Sequence, residues 1–254
     1  MRVLLSNDDG VHSRGLSTLA SAFAGDEVWV VAPDREQSAS SHAISLHRPL
    51  RIGEVSPRRF AVDGTPTDAV YVGMNHILRQ NRPDVVVSGV NHGPNLGNDV
   101  LYSGTVAAAM EGALLGSHAI AVSLACPPPH DFGPAAAFTV ALARRLVASA
   151  PRRPVLLNVN VPRGAVKGYC FARLGRRDYG NQVVEKTDPR GRKYYWIGGE
   201  GGARHEDLPG SDCNAVLEDG LVAITPLQLD WTNEGLLEEM RGWEVEGYRR
   251  EPGP

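Results

Sequence analysis

The sequence has few cysteines and aromatic residues and lacks long apolar runs. Its 254 residues include only three cysteines, Cys126, Cys170 and Cys213, which form no C-x-x-C pair, and only 6% aromatic residues. This cysteine usage argues against a zinc site and a disulfide framework, and it favours a reducing compartment. No apolar run approaches the ~20 residues of a membrane helix, and no secretory signal is expected at the start. We therefore expect a cytoplasmic protein without a membrane partner.

The chain also lacks a basic excess. Lys and Arg number 26 against 29 Asp and Glu, which gives a formal net charge of -3. Proteins that bind nucleic-acid backbones usually carry a marked basic excess, so we expect no binding to a nucleic-acid duplex. The 42% hydrophobic and 22% charged residues are typical of a globular protein. The length suits one large α/β domain or two modest ones.

Two neighbouring carboxylates, Asp8 and Asp9, follow the first apolar run. Residues 2–5 have the pattern of a buried parallel strand, and residues 6–10 are polar and end in a glycine that can turn. Open α/β sheets place their sites at the carboxyl ends of such strands. Adjacent carboxylates repel each other unless a positive group lies between them, and a divalent cation commonly supplies it. The alternative is a helix N-cap with a spare acid.

A second polar loop is predicted at the same edge of the sheet. Residues 16–23 have helical spacing, and residues 27–32 form a second buried strand, so the chain begins with a βαβ unit and a parallel sheet. The loop of residues 33–42 is rich in serine and ends at His42. Its hydroxyls could reach a cation beside Asp8 and Asp9, although a flexible serine loop explains the pattern equally well.

A third loop combines amide side chains with a helix start that suits an anion. Residues 83–88 form a buried strand, and the loop after it contains three glycines, Asn91 and His92, the last of which is a possible supporting or acid group. The helix of residues 106–115 follows Ser103, Gly104 and Thr105 and has no carboxylate before Glu111. Its free N–H groups suit a phosphate, unless Ser103 merely caps the helix. Neither a Walker A loop nor a dinucleotide fingerprint is present.

The remaining pattern indicates a doubly wound core followed by a β-rich extension. We predict a β-hairpin over residues 48–62, a helix over 66–79, strands over 119–124 and 155–161, and an intervening helix over 134–148. From residue 163 onwards, arginines alternate with aromatics, and residues 193–197 form half of a hairpin rich in large rings. A lone hairpin is unstable in water, so it packs on another subunit or, alternatively, on its own domain. A strand over 220–226 and a helix over 233–240 follow.

The fold prediction is an α/β protein with a Rossmann-like three-layer parallel core. We treat residues 1–254 as one unit, with residues 1–162 carrying the site and residues 163–254 serving oligomerisation. The three loops at the carboxyl edge offer two carboxylates, a hydroxyl and a carboxamide. This set of oxygen ligands favours Mg²⁺ or Mn²⁺, with Ca²⁺ as a third candidate, and disfavours zinc. A cation beside a phosphate pocket indicates phosphoryl transfer to water.

Several ordered motifs in this chain resemble the SurE family of survival proteins. They lie at residues 4–10, 32–38, 64–68, 88–97, 102–111, 187–198 and 224–227. One departure is Ser211, where the family pattern has threonine. The resemblance implies a cytoplasmic, metal-dependent nucleotidase that dephosphorylates nucleoside 5′-monophosphates, with some members acting also on 3′-nucleotides or polyphosphate. It also implies a dimer or tetramer that exchanges C-terminal elements.

The resemblance further implies a role for each site residue. One cation per subunit would be held by Asp8, Asp9, Ser38 and Asn91, and phosphate would be held by Asn95, Ser103, Gly104 and Thr105. Our mechanistic hypothesis is attack on phosphorus by a water molecule, with Asp8 or Asp9 as the base. Two alternatives stay open. One is a covalent aspartate nucleophile, although residues 8–11 lack the D-x-D spacing of such enzymes, and the other is a nucleotide- or phosphate-binding module without turnover.

Overall fold

The computed structural model describes residues 1–180, 183–197 and 203–251. Thirteen strands are found in these ranges: β1 (Arg2–Ser6), β2 (Glu27–Pro33), β3 (Ile52–Ser56), β4 (Arg59–Val62), β5 (Val85–His92), β6 (His118–Ala125), β7 (Leu156–Pro162), β8 (Tyr169–Phe171), β9 (Arg177–Asp178), β10 (Val183–Thr187), β11 (Lys193–Ile197), β12 (Arg204–His205) and β13 (Val222–Leu227). The α-helices are α1 (Arg14–Ala22), α2 (Pro66–Val72), α3 (Gly104–Leu114), α4 (Gly133–Ala148), α5 (Asp212–Leu217) and α6 (Glu234–Met240). Residue 198, the end of one predicted motif, lies outside the described ranges.

The main sheet has nine strands in the order β3-β4-β2-β1-β5-β6-β7-β13-β8. The six strands from β4 to β7 are mutually parallel. The edge strand β3 runs antiparallel to β4, and β13 runs antiparallel to β7 and parallel to β8. The four central strands β1, β5, β6 and β7 are almost wholly buried, as expected for parallel strands covered on both faces. The predicted α/β class is therefore confirmed.

Two apolar layers cover the faces of the sheet, and alternation along β1 shows how the sequence creates them. Val3 and Leu5 point into the cluster that includes residues of α1 and α4, and Leu4 points into the opposite cluster with residues of α2 and α3. This alternation follows from the two-residue period of a strand. The three-layer arrangement predicted from the sequence is thus observed. Among the described residues, no helix has the length and apolarity required to cross a membrane.

The strand before the third loop is longer than predicted. We expected it to end at Ser88, but β5 continues to His92. Its register against β6 shifts between Ser88 and Asn91, and pairing resumes with Asn91 opposite Ser123. Because the irregular step absorbs Gly89 and Val90, the strand recovers its ladder afterwards. Asn91 therefore stands on the end of a strand and not in a free loop.

The helix after the first hairpin begins as predicted and changes geometry before its predicted end. The Thr65 hydroxyl accepts a hydrogen bond from the Asp68 N–H (3.0 Å), and Asp68 Oδ2 accepts one from the Thr65 N–H (3.0 Å). This reciprocal pair is a capping box, which satisfies two free donors of the helix start. The α-helix ends at Val72 and a π-helical turn, Gly73–Ile77, continues it.

The C-terminal extension is partly built into the main sheet, which the sequence did not indicate. We expected the doubly wound pattern to end with the strand over 155–161, but β13 and β8 add to the sheet beyond β7. A helix that we did not predict, α5, is capped by Ser211, whose hydroxyl accepts a hydrogen bond from the Asn214 N–H. The predicted hairpin forms as an antiparallel pair of β10 and β11, with Val184 opposite Trp196. Its role in oligomerisation stays a prediction.

Candidate functional site

The carboxyl edge of the sheet brings the first two predicted loops and the start of α3 together. The Gln37 N–H donates to the Asp8 carbonyl (2.8 Å), which ties the serine loop to the end of β1. The Thr105 hydroxyl donates to Asp8 Oδ1. The end of β1, the serine loop and the first turn of α3 therefore converge on Asp8, which is only 6% exposed.

Gly104 makes this convergence possible. A Cβ atom placed on Gly104 would lie 2.8 Å from Asp8 Cβ and 2.8 Å from Ser40 Oγ. Side-chain atoms do not approach a Cβ that closely, so any larger residue would push the helix away from the carboxylate. The sequence predicted a phosphate-binding turn at residues 103–105, but it did not indicate that Gly104 must also lie against Asp8. Gly104 is needed because the backbone of α3 must approach Asp8.

The first turn of α3 also differs from the anion site predicted from sequence alone. It contains no acidic residue, as predicted, and the Ser103 hydroxyl accepts a hydrogen bond from the Val106 N–H (3.1 Å), so Ser103 is the N-cap. The side chain of Asp8, from another element, occupies part of the space in front of this helix end. A phosphate here would therefore lie beside a carboxylate, and a cation between them would offset their repulsion.

The two carboxylates differ in their environment. Burial raises the pKa of Asp8, and hydrogen bonds from Thr105 oppose that rise. Burial, together with the charges of Asp8 and Glu36, raises the pKa of Asp9 to about 7. Asp9 Oδ2 is buried and has no hydrogen-bond partner. Within the described ranges, no Lys or Arg forms an ion pair with either carboxylate, and a bound cation would supply the positive charge that an ionised pair needs.

Ser38 and Ser40 occupy different positions in the serine loop. The Ser38 side chain is exposed and its hydroxyl donates to Glu36 Oε1 (2.7 Å). The Ser40 hydroxyl is buried without a hydrogen-bond partner and lies beside the Gly104 turn. The resemblance assigned the ligand role to Ser38 and gave none to Ser40. No spacing signal separates hydroxyls two residues apart in a loop, so only the structure shows that Ser40 faces the helix start.

At the end of β5, Asn91 presents an amide and the neighbouring His92 brings an imidazole next to Asp9. The Asn91 side-chain amide donates to the Gly93 carbonyl (2.9 Å), which leaves its side-chain oxygen as the atom able to bind a cation. His92 Nδ1 lies 3.3 Å from Asp9 Oδ1. Burial and the nearby His130 lower the pKa of His92. His92 was considered at the sequence level only as a possible supporting or acid group.

Asn95 is held by a network that the sequence did not reveal. Its N–H donates to Asn160 Oδ1 (2.8 Å), and its carbonyl accepts from the side chains of Asn158 (2.8 Å) and Asn160 (3.0 Å). Its own side-chain amide donates to the Ser123 hydroxyl (2.8 Å). An amide has two N–H bonds, so one donor is still available to a phosphate. Asn158 and Asn160 lie on β7, far away in sequence, and no local pattern links them to Asn95.

The donor set fits a hard cation better than a soft one. Across the described ranges, no group of three or more His, Cys, Asp and Glu side chains is placed to hold a metal. A cation at Asp8 and Asp9 would therefore draw its remaining ligands from amide and hydroxyl oxygens and from water. Such ligands suit Mg²⁺ or Mn²⁺ and disfavour zinc.

Comparisons with known proteins agree over nearly the whole chain. The family model described as "Survival protein SurE" matches residues 3–181. The chain is 76% identical over 252 residues to a protein of Anaeromyxobacter sp. (strain Fw109-5) named "5'-nucleotidase SurE", with 99% of each chain covered. It is 58% identical to a protein of the same name from Myxococcus xanthus, covering 98% of this chain and 95% of the relative. The crystal structure of the Sure protein from Aquifex aeolicus superposes with a TM-score of 0.84 at 37% identity, covering 95% of this chain and 98% of that one.

Proposed function

This chain belongs to the SurE family, and we propose that it hydrolyses nucleoside 5′-monophosphates to nucleosides and phosphate. One observation carries the proposal: the Asp8 carboxylate is buried at the start of α3 with the partly buried Asp9 carboxylate next to it, so that a phosphate and a cation can meet there. The nucleotidase name of relatives up to 76% identical supports the choice of nucleotides as substrates. Action on 3′-nucleotides and polyphosphate is a further proposal, which rests on the resemblance alone.

We propose one divalent cation per subunit, Mg²⁺ or Mn²⁺ with Ca²⁺ as the third candidate. Asp8, Asp9, Asn91 and Ser38 would hold it, and Ser38 would exchange its hydrogen bond to Glu36 for the cation. The unpartnered Asp9 Oδ2 and the raised pKa of Asp9 support a cation at this position. When bound, such a cation neutralises phosphoryl oxygens and lowers the pKa of a coordinated water.

The residues of the chain would bind, orient and accept a proton. Asn95 and the turn formed by Ser103, Gly104 and Thr105 would hold the phosphoryl oxygens. Asp8 or Asp9 would accept a proton from the attacking water as its oxygen forms a bond to phosphorus. The bond between phosphorus and the 5′ oxygen then breaks, and this oxygen takes up a proton from solvent as the nucleoside leaves with its 5′-hydroxyl. General-base assistance of this kind typically contributes 10²- to 10⁴-fold to the rate.

The test measures phosphate release from a panel of nucleoside monophosphates and short polyphosphate with Mg²⁺, Mn²⁺ or Ca²⁺, and with EDTA. We expect metal-dependent release from 5′-monophosphates and a loss of at least about 100-fold in Asp8→Asn. Asp84→Asn is the matched control, because Asp84 accepts a hydrogen bond from the Arg2 N–H at the opposite edge of the sheet. Near-normal turnover in metal-replete Asp8→Asn would contradict the role of Asp8.

Two results would replace the hydrolytic proposal. If the protein binds nucleotide but releases no phosphate with any metal, the site is a binding module without turnover. If a phosphorylated aspartate is trapped during turnover, the nucleophile is the carboxylate and not water. Acid quenching followed by intact-mass measurement distinguishes these cases, since a covalent intermediate adds one phosphoryl group to the chain.

We also propose that the protein is a dimer or tetramer whose subunits contact each other through the C-terminal extension. Large apolar side chains are strongly exposed there, including Trp196 (61%), Ile197 (94%) and Tyr248 (81%). This concentration of exposed large apolar side chains in one part of the chain supports an interface there. The resemblance to a family that exchanges C-terminal elements supports the same proposal. The cytoplasmic location stays a prediction.

A further inference from the structure

Three aromatic side chains form a compact cluster beside the carboxylates. His92 stands at the end of β5, and His130 and Phe132 come from the loop between β6 and α4. The ring centroids of His92 and His130 are 5.2 Å apart, those of His92 and Phe132 are 5.0 Å apart, and those of His130 and Phe132 are 5.3 Å apart. The plane of His92 lies within 11° of His130 and within 27° of Phe132. His92 is therefore stacked on two neighbours at once.

These distances leave one face of His92 uncovered by the other two rings. Stacked rings need about 3.5 Å between their planes, so two rings on opposite faces of a third lie at least about 7 Å apart. The His130 and Phe132 centroids are only 5.3 Å apart, so both rings lie on the same side of His92. Phe132 is 4% exposed, whereas 36% of the His92 side chain is exposed. The cluster is thus a supported platform with His92 on top.

The platform contacts the carboxylate pair through Asp9, and the proposed phosphate-binding turn contacts it through Asp8. His92 Nδ1 is 3.3 Å from Asp9 Oδ1, whereas Asp8 accepts a hydrogen bond from Thr105 of α3. A ligand whose phosphate lies at the start of α3 and beside the carboxylates has the His92 ring as a neighbour, because His92 contacts Asp9. Its next groups, a sugar and a ring, would reach the open face of the imidazole.

We propose that the nucleobase of a nucleotide stacks on His92, with His130 and Phe132 supporting the ring from beneath. This assignment rests on the proposed function, because it takes the phosphate to be bound at α3. Every nucleobase has a π-face, so a stacking platform recognises a base without reading its hydrogen-bonding edge. The platform therefore selects nucleotides over phosphorylated sugars and discriminates little among bases.

The experiment compares adenosine 5′-monophosphate with ribose 5-phosphate, which carries the same phosphate and sugar but no base. We measure kcat/KM for both substrates in the wild-type protein and in His92→Ala, His92→Phe and His76→Ala. His76 is exposed on the π-helical turn after α2, away from the site, and serves as the matched control. Base stacking contributes roughly 5- to 150-fold per base to binding. We therefore expect His92→Ala to lower the ratio of kcat/KM for the nucleotide to kcat/KM for the sugar phosphate about tenfold. His92→Phe keeps an aromatic ring at this position, so it should retain most of the preference in kcat/KM for the nucleotide.

Several outcomes would overturn the platform. One is a His92→Ala protein that loses activity on both substrates equally, because that pattern indicates a role in the carboxylate site alone. Another is a wild-type protein that shows no preference for the nucleotide, and a third is a His92→Phe protein that loses the preference as fully as His92→Ala.

Equilibrium binding separates this inference from the proposed reaction. The affinity for adenosine 5′-monophosphate, with Mn²⁺ present, is measured by calorimetry in the wild-type protein and in His92→Ala. If neither substrate is hydrolysed but nucleotide binding still weakens about tenfold in His92→Ala, the platform stands and the hydrolytic proposal fails. If both substrates are hydrolysed and binding does not depend on His92, the hydrolytic proposal stands and the platform fails.

Discussion

Asp8 and Asp9 are adjacent in sequence, but they differ in their hydrogen-bond partners and in the pKa of the carboxyl group. Asp8 accepts a hydrogen bond from the Thr105 hydroxyl and is fixed against the start of α3. Asp9 has a buried oxygen without a partner and a pKa raised to about 7 by burial and by the charges of Asp8 and Glu36. In the metal-free protein, the ionised form of Asp9 is therefore destabilised. A cation bound beside Asp9 would stabilise the ionised form.

The raised pKa of Asp9 makes the stability of the metal-free protein depend on pH. The group has a pKa of about 7 in the folded chain against an ordinary value of 3.8, so the folded state binds a proton that the unfolded state has lost. Stability therefore falls as pH rises from about 4 to about 7 and stays low above that range. We expect Asp9→Asn to raise the Tm of EDTA-treated protein at pH 8 by about 5 °C, because the buried charge is gone.

Scanning calorimetry at pH 5 and pH 8 tests this expectation, with Asp84→Asn as the exposed control. Addition of Mn²⁺ should stabilise the wild-type protein at pH 8 by mass action and should stabilise Asp9→Asn much less. A lower Tm for metal-free Asp9→Asn at pH 8 would show that the ionised carboxylate has a stabilising partner after all.

At the scale of elements, the site depends on how closely the start of α3 approaches the end of β1. The capped, carboxylate-free first turn is a local feature of the helix. The approach itself requires Gly104, because a Cβ there would lie 2.8 Å from Asp8 Cβ. A single methyl group at position 104 would therefore increase the distance between α3 and the end of β1.

We expect Gly104→Ala to reduce phosphatase activity by more than about tenfold, because displacing a catalytic group by about 1 Å can cost 10²-fold in rate. Stability should fall by about 1–3 kcal/mol, as is typical when a well-packed position is overfilled. Gly25→Ala is the control, since a Cβ at Gly25 would meet no atom within 4 Å. Phosphate release and denaturant unfolding are measured for both variants. Unchanged activity in Gly104→Ala would mean that α3 can retreat without affecting the site.

At the scale of the whole molecule, the core and the extension have opposite surface characters. The central strands and the helices on both faces bury their apolar residues in two continuous clusters. The hairpin of β10 and β11 instead leaves Tyr195, Trp196 and Ile197 exposed, and Leu236, Leu237 and Met240 of α6 are also exposed. An apolar surface of this extent is explained if another subunit covers it.

We expect the wild-type protein to sediment as a dimer or tetramer and Trp196→Glu to shift it towards a smaller species. A carboxylate placed in an apolar interface must lose its hydration, which weakens association. Arg190→Glu is the matched control, because it introduces the same side chain at the turn of the same hairpin. Sedimentation velocity over a range of concentrations measures the shift. A wild-type protein that sediments as a monomer would contradict the proposed assembly.

Local patterns in the sequence determined the core of this protein. Apolar runs such as residues 2–5 and 27–32, the capping box at Thr65 and the carboxylates after β1 each depend on neighbours within a few residues. The parallel connections then place Asp8 and the serine loop at one edge of the sheet. For these features, short-range periodicity and the handedness of βαβ units suffice.

Tertiary structure decided the features that join distant parts of the chain. The Asn95 network depends on side chains of β7, the closeness of Gly104 to Asp8 depends on the packing of α3, and the ring platform unites His92 with His130. The extension of β5 to His92 depended on pairing with β6. These contacts form between residues far apart in sequence, so no local preference encodes them. They exist only because the packed sheet brings their elements within hydrogen-bonding or van der Waals distance.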